Sequence, residues 1–357
     1  MMCHYDIAII GLGPAGSFLA QHLDQRFSVI ALDKKQPTGV AGFQKACGGL
    51  LAPDAQKALS QFHMALPASL LVDPQIFSVR TIDLHTNRVR YYQRHYINLD
   101  RHKFDQWLLS LIPPHVDVRS NATCTNISKL GSFYQITFLE NGTSHTITAK
   151  YIVGADGANS QVRQAFFPQK GLAQYLCIQQ WYKDTHDTPF YSCVFDASLT
   201  DSYAWGLSKN GYFIFGGAFH PNTARMDFEA LKQKVLSHGF RVFFPIKTEA
   251  CLALRPKRLR YFGHGRNNAF LIGEAAGFIS PSSLEGISYA IESGYLLSQC
   301  LNGDENKNPN SAYGRSTRSL RHKLFLKNCK RPFLYMPVLR RMVMASGISS
   351  IPIHKAP

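Results

Sequence analysis

Apolar and polar positions alternate in segments whose periods change along the chain. Tyr5–Ile10 is a short apolar run, Gly11–Gly16 a turn, Ser17–Leu23 a helical stretch, and Phe27–Leu32 a second apolar run closing on Asp33. That order predicts a βαβ unit. Phe77–Leu84 and Arg88–Tyr92 alternate like a strand pair. A helix is predicted over Asp100–Leu111, where Asp100 can cap the first turn and Phe104, Leu108 and Leu111 share a face. Residues 115–152 read as a small antiparallel set with turns at Leu130-Gly131 and Asn141-Gly142. Tyr151–Val153 is a further buried strand running into Gly154-Ala155-Asp156-Gly157. Between 174 and 220, strands are predicted at Gln179–Tyr182, Phe190–Phe195, Tyr203–Leu207 and Tyr212–Gly216, together one broad aromatic sheet. A strand at Ala269–Ile272 leads through a turn to a helix over Leu284–Cys300. Gly303–Pro309 is a polar linker, and basic helical residues follow it.

These elements predict an α/β (α+β) chain: a Rossmann-like nucleotide domain with a second, mainly antiparallel sheet. Length allows about two domains, followed by a basic helical extension (306–357).

The 357 residues carry 39 Lys and Arg against 23 Asp and Glu, a net charge of +16. The excess is local: no acid follows Glu305, whereas 11 Lys and Arg fall between Lys307 and Lys355. A basic amphipathic tail suits an anionic membrane surface, or else a solvated helix packed on the nucleotide domain. Charge alone also permits nucleic acid, but no recognition motif accompanies it, so no specific nucleic-acid partner is expected. The eight cysteines include no CxxC pair and no zinc spacing, and no metal site is expected. Spread cysteines, no signal-peptide pattern and no long apolar run predict a cytoplasmic protein, with the inner membrane face as a place of association. No GxSxG or Ser-His-Asp signature supports hydrolysis.

Gly11-Leu12-Gly13-Pro14-Ala15-Gly16 matches GxGxxG and sits between a strand and a helix. The first glycine makes the turn, the second admits a pyrophosphate, and the third lets helix and strand pack closely. Asp33 closes the second strand, placed for a ribose hydroxyl, with Lys34 beside it. The loop announces a dinucleotide without saying which.

Three later segments resemble para-hydroxybenzoate-hydroxylase-type flavoproteins. They are Gly154-Ala-Asp156-Gly157-Ala-Asn-Ser160-Gln-Val-Arg163, Gly273-Glu274-Ala-Ala-Gly277, and Arg101-His-Lys-Phe104-Asp105. Within that superfamily, Lys45-Ala-Cys47-Gly48-Gly49 and Tyr203-Ala-Trp205-Gly-Leu-Ser-Lys209 resemble the geranylgeranyl-reductase type. The sequence departs from that type in three places. Glu274 replaces an aspartate, Ser283-Leu284-Glu285-Gly286 replaces a Gly-Glu-Gly turn, and Leu207-Ser208 replaces Phe-Pro.

The resemblance implies that the nucleotide domain is discontinuous (1–75, 96–170 and 265–305) around a substrate domain (76–95 and 171–264). It implies FAD as cofactor, with NADPH or NADH as electron donor visiting the same domain. It implies cofactor contacts from the glycine loop, Asp33, Lys34, Lys45, Cys47, Gly48, Gly49, Arg101, Asp156, Gly157, Gly273, Glu274, Gly277, Gly286 and Ile287. The implied reaction is reduction of a carbon–carbon double bond in an apolar, isoprenoid-like substrate. A monooxygenase on the same scaffold, or a non-catalytic flavin-bound surface or regulatory protein, are the alternatives. Cys47, with Lys45 nearby to lower its pKa, is expected to supply or relay a proton. Tyr203 and Trp205 complete the expected catalytic set, and with Phe213 and Phe215 they are expected to floor an apolar pocket.

Overall fold

The computed structural model describes residues 3–36, 45–168, 171–186, 191–303 and 308–354. The start of the small-residue loop (38–44), Phe190, the centre of the polar linker (304–307) and Lys355 lie outside the described residues.

Two sheets organise the chain. The first runs β15 (Gly265–Arg266), β16 (Ala269–Leu271), β9 (Thr143–Gly154), β1 (Cys3–Ile10), β2 (Val29–Leu32) and β6 (Val116–Arg119). From β16 to β6 all neighbours are parallel. A hairpin of β7 (Ala122–Leu130) and β8 (Phe133–Glu140) extends antiparallel from β9. Ile7–Ile10 of β1, Val29–Leu32 of β2 and residues 152–154 of β9 are buried on both faces and read as continuous apolar runs. The register places Ile10 beside both Leu32 and Gly154, and Gly154 beside Leu271. Four strands therefore end together, and ligands of such sheets bind beyond those carboxyl ends. The expectation of one antiparallel set over 115–152 holds only for β7–β9. Residues 116–119 instead extend the parallel sheet beside β2, a partner choice that a four-residue alternation does not encode.

Helix α1 (Pro14–Gln21) follows the glycine loop, with Pro14 in its first turn. Helix α6 (Ile287–Asn302) lies against it so closely that a Cβ on Gly294 would sit 2.6 Å from the Ala15 carbonyl. Helix α3 (Arg101–Ser110) begins as expected, the Asp100 carboxylate accepting from the amides of His102 and Lys103. Helices α2 (Pro53–Ser60) and α4 (Gln161–Phe166) complete this half of the molecule.

The second sheet runs β14 (Lys247–Arg255), β10 (Ala173–Lys183), β13 (Tyr212–Phe219), β12 (Ala204–Lys209), β11 (Tyr191–Phe195), β4 (Ile76–Asp83), β5 (Arg88–Asn98) and β3 (Leu50–Leu51). Its pairings are antiparallel except β11 with β4, the mainly antiparallel sheet expected. Helix α5 (Ala224–Val235) packs Phe228, Leu231 and Val235 onto one face, where Phe215 and Phe219 meet them.

The basic C-terminal segment forms α7 (Pro309–Ser316), α8 (Arg318–Leu326), α9 (Arg331–Tyr335) and α10 (Pro337–Ser346). Much of it is anchored. Tyr313, Leu320 and Leu324 are buried in the nucleotide-domain core. Arg340 reaches the fully buried Asp83 of β4 at 3.0 Å.

Candidate functional site: a four-segment cofactor cradle

The cradle forms at the carboxyl ends of β1, β9 and β16. Gly11 adopts φ +98°, and a Cβ there would fall 2.7 Å from the Ala155 carbonyl and 2.9 Å from the Asp156 Cα. A Cβ on Gly16 would lie 2.0 Å from the Gly11 carbonyl. Both glycines are therefore required by the fold. Gly13 differs: no protein atom beyond its chain neighbours comes within 4 Å of a Cβ placed there. It caps α1 with no side chain answering the helix amides. Open space at a helix N-terminus suits a pyrophosphate.

The other segments close on this loop. Gly273, at φ +54°, packs against Ala15, where a Cβ would reach the Ala15 methyl at 2.8 Å. Arg163, nearly buried, donates to the carbonyls of Ala158 and, at 2.9 Å, Ala275, tying the Asp156 turn to the Gly273–Gly277 turn. Asp156 accepts from the Gln161 amide at 2.7 Å through one oxygen, while its other oxygen is buried without a partner. Burial raises the Asp156 pKa, outweighing its hydrogen bonds and Arg163. An open glycine cap and an orphaned buried carboxylate oxygen fit a dinucleotide whose hydroxyls and phosphates would complete them.

Asp33 is buried, and its two oxygens accept from the amides of Leu12 at 3.0 Å and Lys35 at 2.9 Å. It thus braces the glycine loop, leaving its remaining lone pairs for a ribose. Lys35, not Lys34, turns inward: its ammonium sits 2.9 Å from Asp105 and 3.8 Å from Asp33, while Lys34 is exposed. Arg101 pairs with Asp105 at 2.9 Å and approaches the Cys47 sulfur at 3.7 Å. Burial pulls the Arg101 pKa down, but Asp105 and Cys47 outweigh it and raise it.

Lys45 departs from expectation. Its ammonium is not the neighbour of Cys47; it lies 2.7 Å from Glu274. Burial opposes its charge, yet Glu274 more than compensates, and the pKa is raised. Glu274 also accepts from the Leu254 amide at 3.0 Å. The longer acid thus spans from the Gly273 turn to the 45–49 segment and to β14. Cys47 instead accepts from the Gly49 amide at 3.5 Å, with Arg101 beside it. Gly286 caps α6 beside Ile279, and Ile287 opens the helix against the cluster of Phe18, Leu51 and Leu99. Gly48 borders Leu207, and Gly277 is left-handed at φ +79° where the Gly273–Ala276 turn ends.

Lys209 was not among the expected site residues. It is buried and donates to the Leu99 carbonyl at 2.6 Å, and a Cβ on Gly49 would lie 2.4 Å from its ammonium. Burial lowers its pKa to about 8, against smaller opposing effects of Cys47 and Asp100. The Tyr203–Lys209 motif contained this residue, but a terminal lysine on a strand signals nothing about burial.

Tyr203 donates to the Ser283 carbonyl at 2.8 Å, and its ring lies 6.0 Å from Trp205. The Trp205 indole nitrogen is buried without a partner. Tyr96 and Tyr191 meet at 5.5 Å, and Trp205, Cys193 and Leu207 share their cluster. This aromatic wall excludes Phe213 and Phe215. Trp205 pairs with Gly216 and Gly206 with Phe215, so parity sends both phenylalanines to the α5 face, where they meet Phe240.

An FAD binding domain family matches residues 118–192. Protein CbrA of Escherichia coli K12 is 49% identical over 351 residues, covering 98% of this chain and 99% of that one. CbrA of Shigella sonnei matches at the same identity and coverage. Among solved structures, the geranylgeranyl bacteriochlorophyll reductase-like protein Ta0516 of Thermoplasma acidophilum superposes with a TM-score of 0.80 at 19% identity, covering 98% of this chain and 92% of that one. Pseudomonas aeruginosa PqsL in complex with 2-aminobenzoylacetate gives 0.68 at 15% identity, covering 97% and 99%. A variant of the flavin-dependent brominase Bmp2 gives 0.70 at 17% identity, covering 97% and 93%. These three structures share the fold of two sheets described above. By its full-length match the chain belongs to the CbrA family, a branch of the FAD-dependent oxidoreductase superfamily.

Proposed function

We propose that the chain reduces carbon–carbon double bonds of an isoprenoid-type lipid. The observation that carries this reading is the wall of Tyr96, Tyr191, Tyr203 and Trp205 that flanks the cradle, with Lys209 ending β12, the strand of Trp205. Reduced FAD, when bound, would supply hydride, with NADPH or NADH as its source. Gly13 and the α1 amides would hold the pyrophosphate, and Asp33, Arg101 and Asp156 would meet the remaining polar groups. The wall would seat the alkene and exclude water. Cys47 would deliver the proton, with Arg101 at 3.7 Å from its sulfur steadying the thiolate left behind and Lys209 nearby, below the ordinary lysine range, positioned to restore the proton.

The test is an anaerobic incubation of the flavin-loaded enzyme with dithionite and a geranylgeranyl-type alkene, followed by mass spectrometry. A product gaining two hydrogens supports the reading. No product without oxygen and an added oxygen atom with it would replace the reading by a monooxygenase, and no change in either would leave a flavin-binding protein without turnover.

An apolar substrate needs a source, and the C-terminal helices suit one. Leu326, Phe333, Met336, Val338, Met342 and Ile348 are exposed there, among exposed Lys323, Lys330 and Arg341. Among the described residues no helix is long and apolar enough to cross a membrane. The proposal is peripheral contact with an anionic bilayer, each cation near the surface contributing about 1 kcal/mol. Sedimentation with phosphatidylglycerol vesicles at low salt, lost in Val338→Asp/Met342→Asp, is expected; equal binding by that variant would refute contact through this face.

A further inference from the structure

Strands β10 and β14 form the antiparallel edge of the second sheet, and Cys177 stands directly opposite Cys251. Opposed residues project to the same face with Cα atoms about 4.5–5.5 Å apart. That separation falls inside the range of about 4.4–6.8 Å over which a disulfide closes without moving the backbone. The two thiols are close enough that each shifts the ionisation of the other. Other strand cysteines have no such partner, since Cys193 opposes Trp205 and Cys124 opposes Phe138.

The pair faces the cradle. The Cys251 thiol lies 3.2 Å from the Ala46 carbonyl, within the segment that carries Lys45 and Cys47. Trp205 and Leu284 share its cluster. Three residues along β14, the Leu254 amide holds Glu274 of the cofactor turn. The two sulfurs are also unequal. The neighbouring Cys177 thiol lowers the Cys251 pKa against burial, and the Lys45 ammonium adds to the effect. The Cys251 thiol, with burial, raises that of Cys177. Cys251, whose S–H donates to Ala46 in the dithiol, is thus the member that gives up its proton more readily, as the attacking sulfur in thiol–disulfide chemistry must.

We propose that Cys177 and Cys251 are a dithiol–disulfide couple that exchanges two electrons with the flavin bound in the cradle. This rests on the reading that the cradle holds FAD. In one direction two S–H bonds break and one S–S bond forms, and two electrons and two protons pass to oxidised FAD, giving its dihydro form. The reverse step returns them. The couple would let the protein store a second electron pair next to the flavin, or accept one from an external thiol.

The test is an anaerobic dithionite titration of the flavin-loaded protein after diamide oxidation and removal of diamide, with peptide mapping of the same sample. Wild type is expected to take up two electron pairs per flavin and to yield a Cys177–Cys251 crosslinked peptide. Cys177→Ser and Cys251→Ser are each expected to take up one pair. One pair in wild type, with both cysteines recovered as alkylated thiols, would overturn the proposal. Two pairs in wild type and in both variants would assign the second pair elsewhere and also overturn it. A crosslinked peptide from protein that binds no FAD would sink the cofactor reading and the electron exchange while leaving the disulfide itself, so the two failures are told apart.

Discussion

Substituting Gly13 by alanine separates cofactor binding from folding. Gly13 has φ −74° and ψ −173°, a conformation that alanine adopts freely, and the added methyl meets no protein atom within 4 Å. Removing a glycine from the unfolded chain stabilises by about 0.4–1 kcal/mol. Alanine is a poorer N-cap than glycine by roughly 0.5–1 kcal/mol. These cancel, so the apoprotein's stability should change by less than about 0.5 kcal/mol. A pyrophosphate drawn against the Gly13 backbone would instead meet the methyl. One methyl forced into a close contact costs about 1–3 kcal/mol, which weakens binding roughly 5- to 150-fold. Urea unfolding of apoprotein and fluorescence titration with FAD measure the two effects separately. Gly16→Ala is the control, since its methyl strikes the Gly11 carbonyl and the fold itself should suffer. Unchanged FAD affinity in Gly13→Ala would refute the placement of the pyrophosphate at this loop.

Arg340→Met leaves Asp83 buried beside a lost cation, so the urea midpoint should fall by the equivalent of about 3–5 kcal/mol at unchanged slope; an unchanged midpoint would mean that the C-terminal helices are not docked through this pair. Lys209 has its folded pKa near 8, below the unfolded lysine value, so its burial penalty is full below pH 8 and fades as pH rises towards the unfolded pKa. Relative to Lys209→Met, wild type should therefore gain stability from pH 8 upward, and parallel stability curves would contradict that assignment. Glu274→Asp retracts the carboxylate by roughly 1.5 Å and cannot hold both Lys45 and the Leu254 amide; about 1–3 kcal/mol of apoprotein stability should go, measurable by urea unfolding.

The nucleotide half of the molecule was legible in the sequence because its signals are local. A strand, three spaced glycines, a helix and an acid lie within 30 residues of one another, and Asp100 announces its own cap. The second sheet was legible in kind and less so in detail. The start of β14, Lys-Thr-Glu-Ala-Cys, is half exposed and offers no apolar alternation, so the strand that brings Cys251 to Cys177 gave no signal. Helix α5 did carry one, with Ala224, Phe228, Leu231 and Val235 at helical spacing, beneath a stronger aromatic strand pattern just before it. Which face an aromatic strand residue takes was not legible, because face depends on register with a partner: Phe215 and Trp205 part company only through the pairing of β12 with β13. Nor does sequence show that Lys45 prefers Glu274 to its near neighbour Cys47, a choice made across 229 positions of chain.

The two departures nearest the cofactor turn have a common geometric consequence. Leu284 stands where the related pattern has glycine, and its backbone keeps the left-handed conformation at φ +55°. Holding a non-glycine residue there costs about 1–2 kcal/mol, and the loop compensates through hydrogen bonds between Ser280 and the backbone of Leu284 and Glu285 at 2.9 and 2.8 Å. The leucine side chain then packs beside Cys251 and Trp205 on the second sheet. Glu274 uses its extra methylene in the same direction, reaching Lys45 and the β14 backbone. Both changes convert contacts that a glycine and an aspartate would leave within the cofactor turn into bridges from that turn to the sheet. The bridged strand is the one bearing Cys251. The departures therefore do not loosen the flavin site; they fasten it to the strand edge that carries the thiol pair.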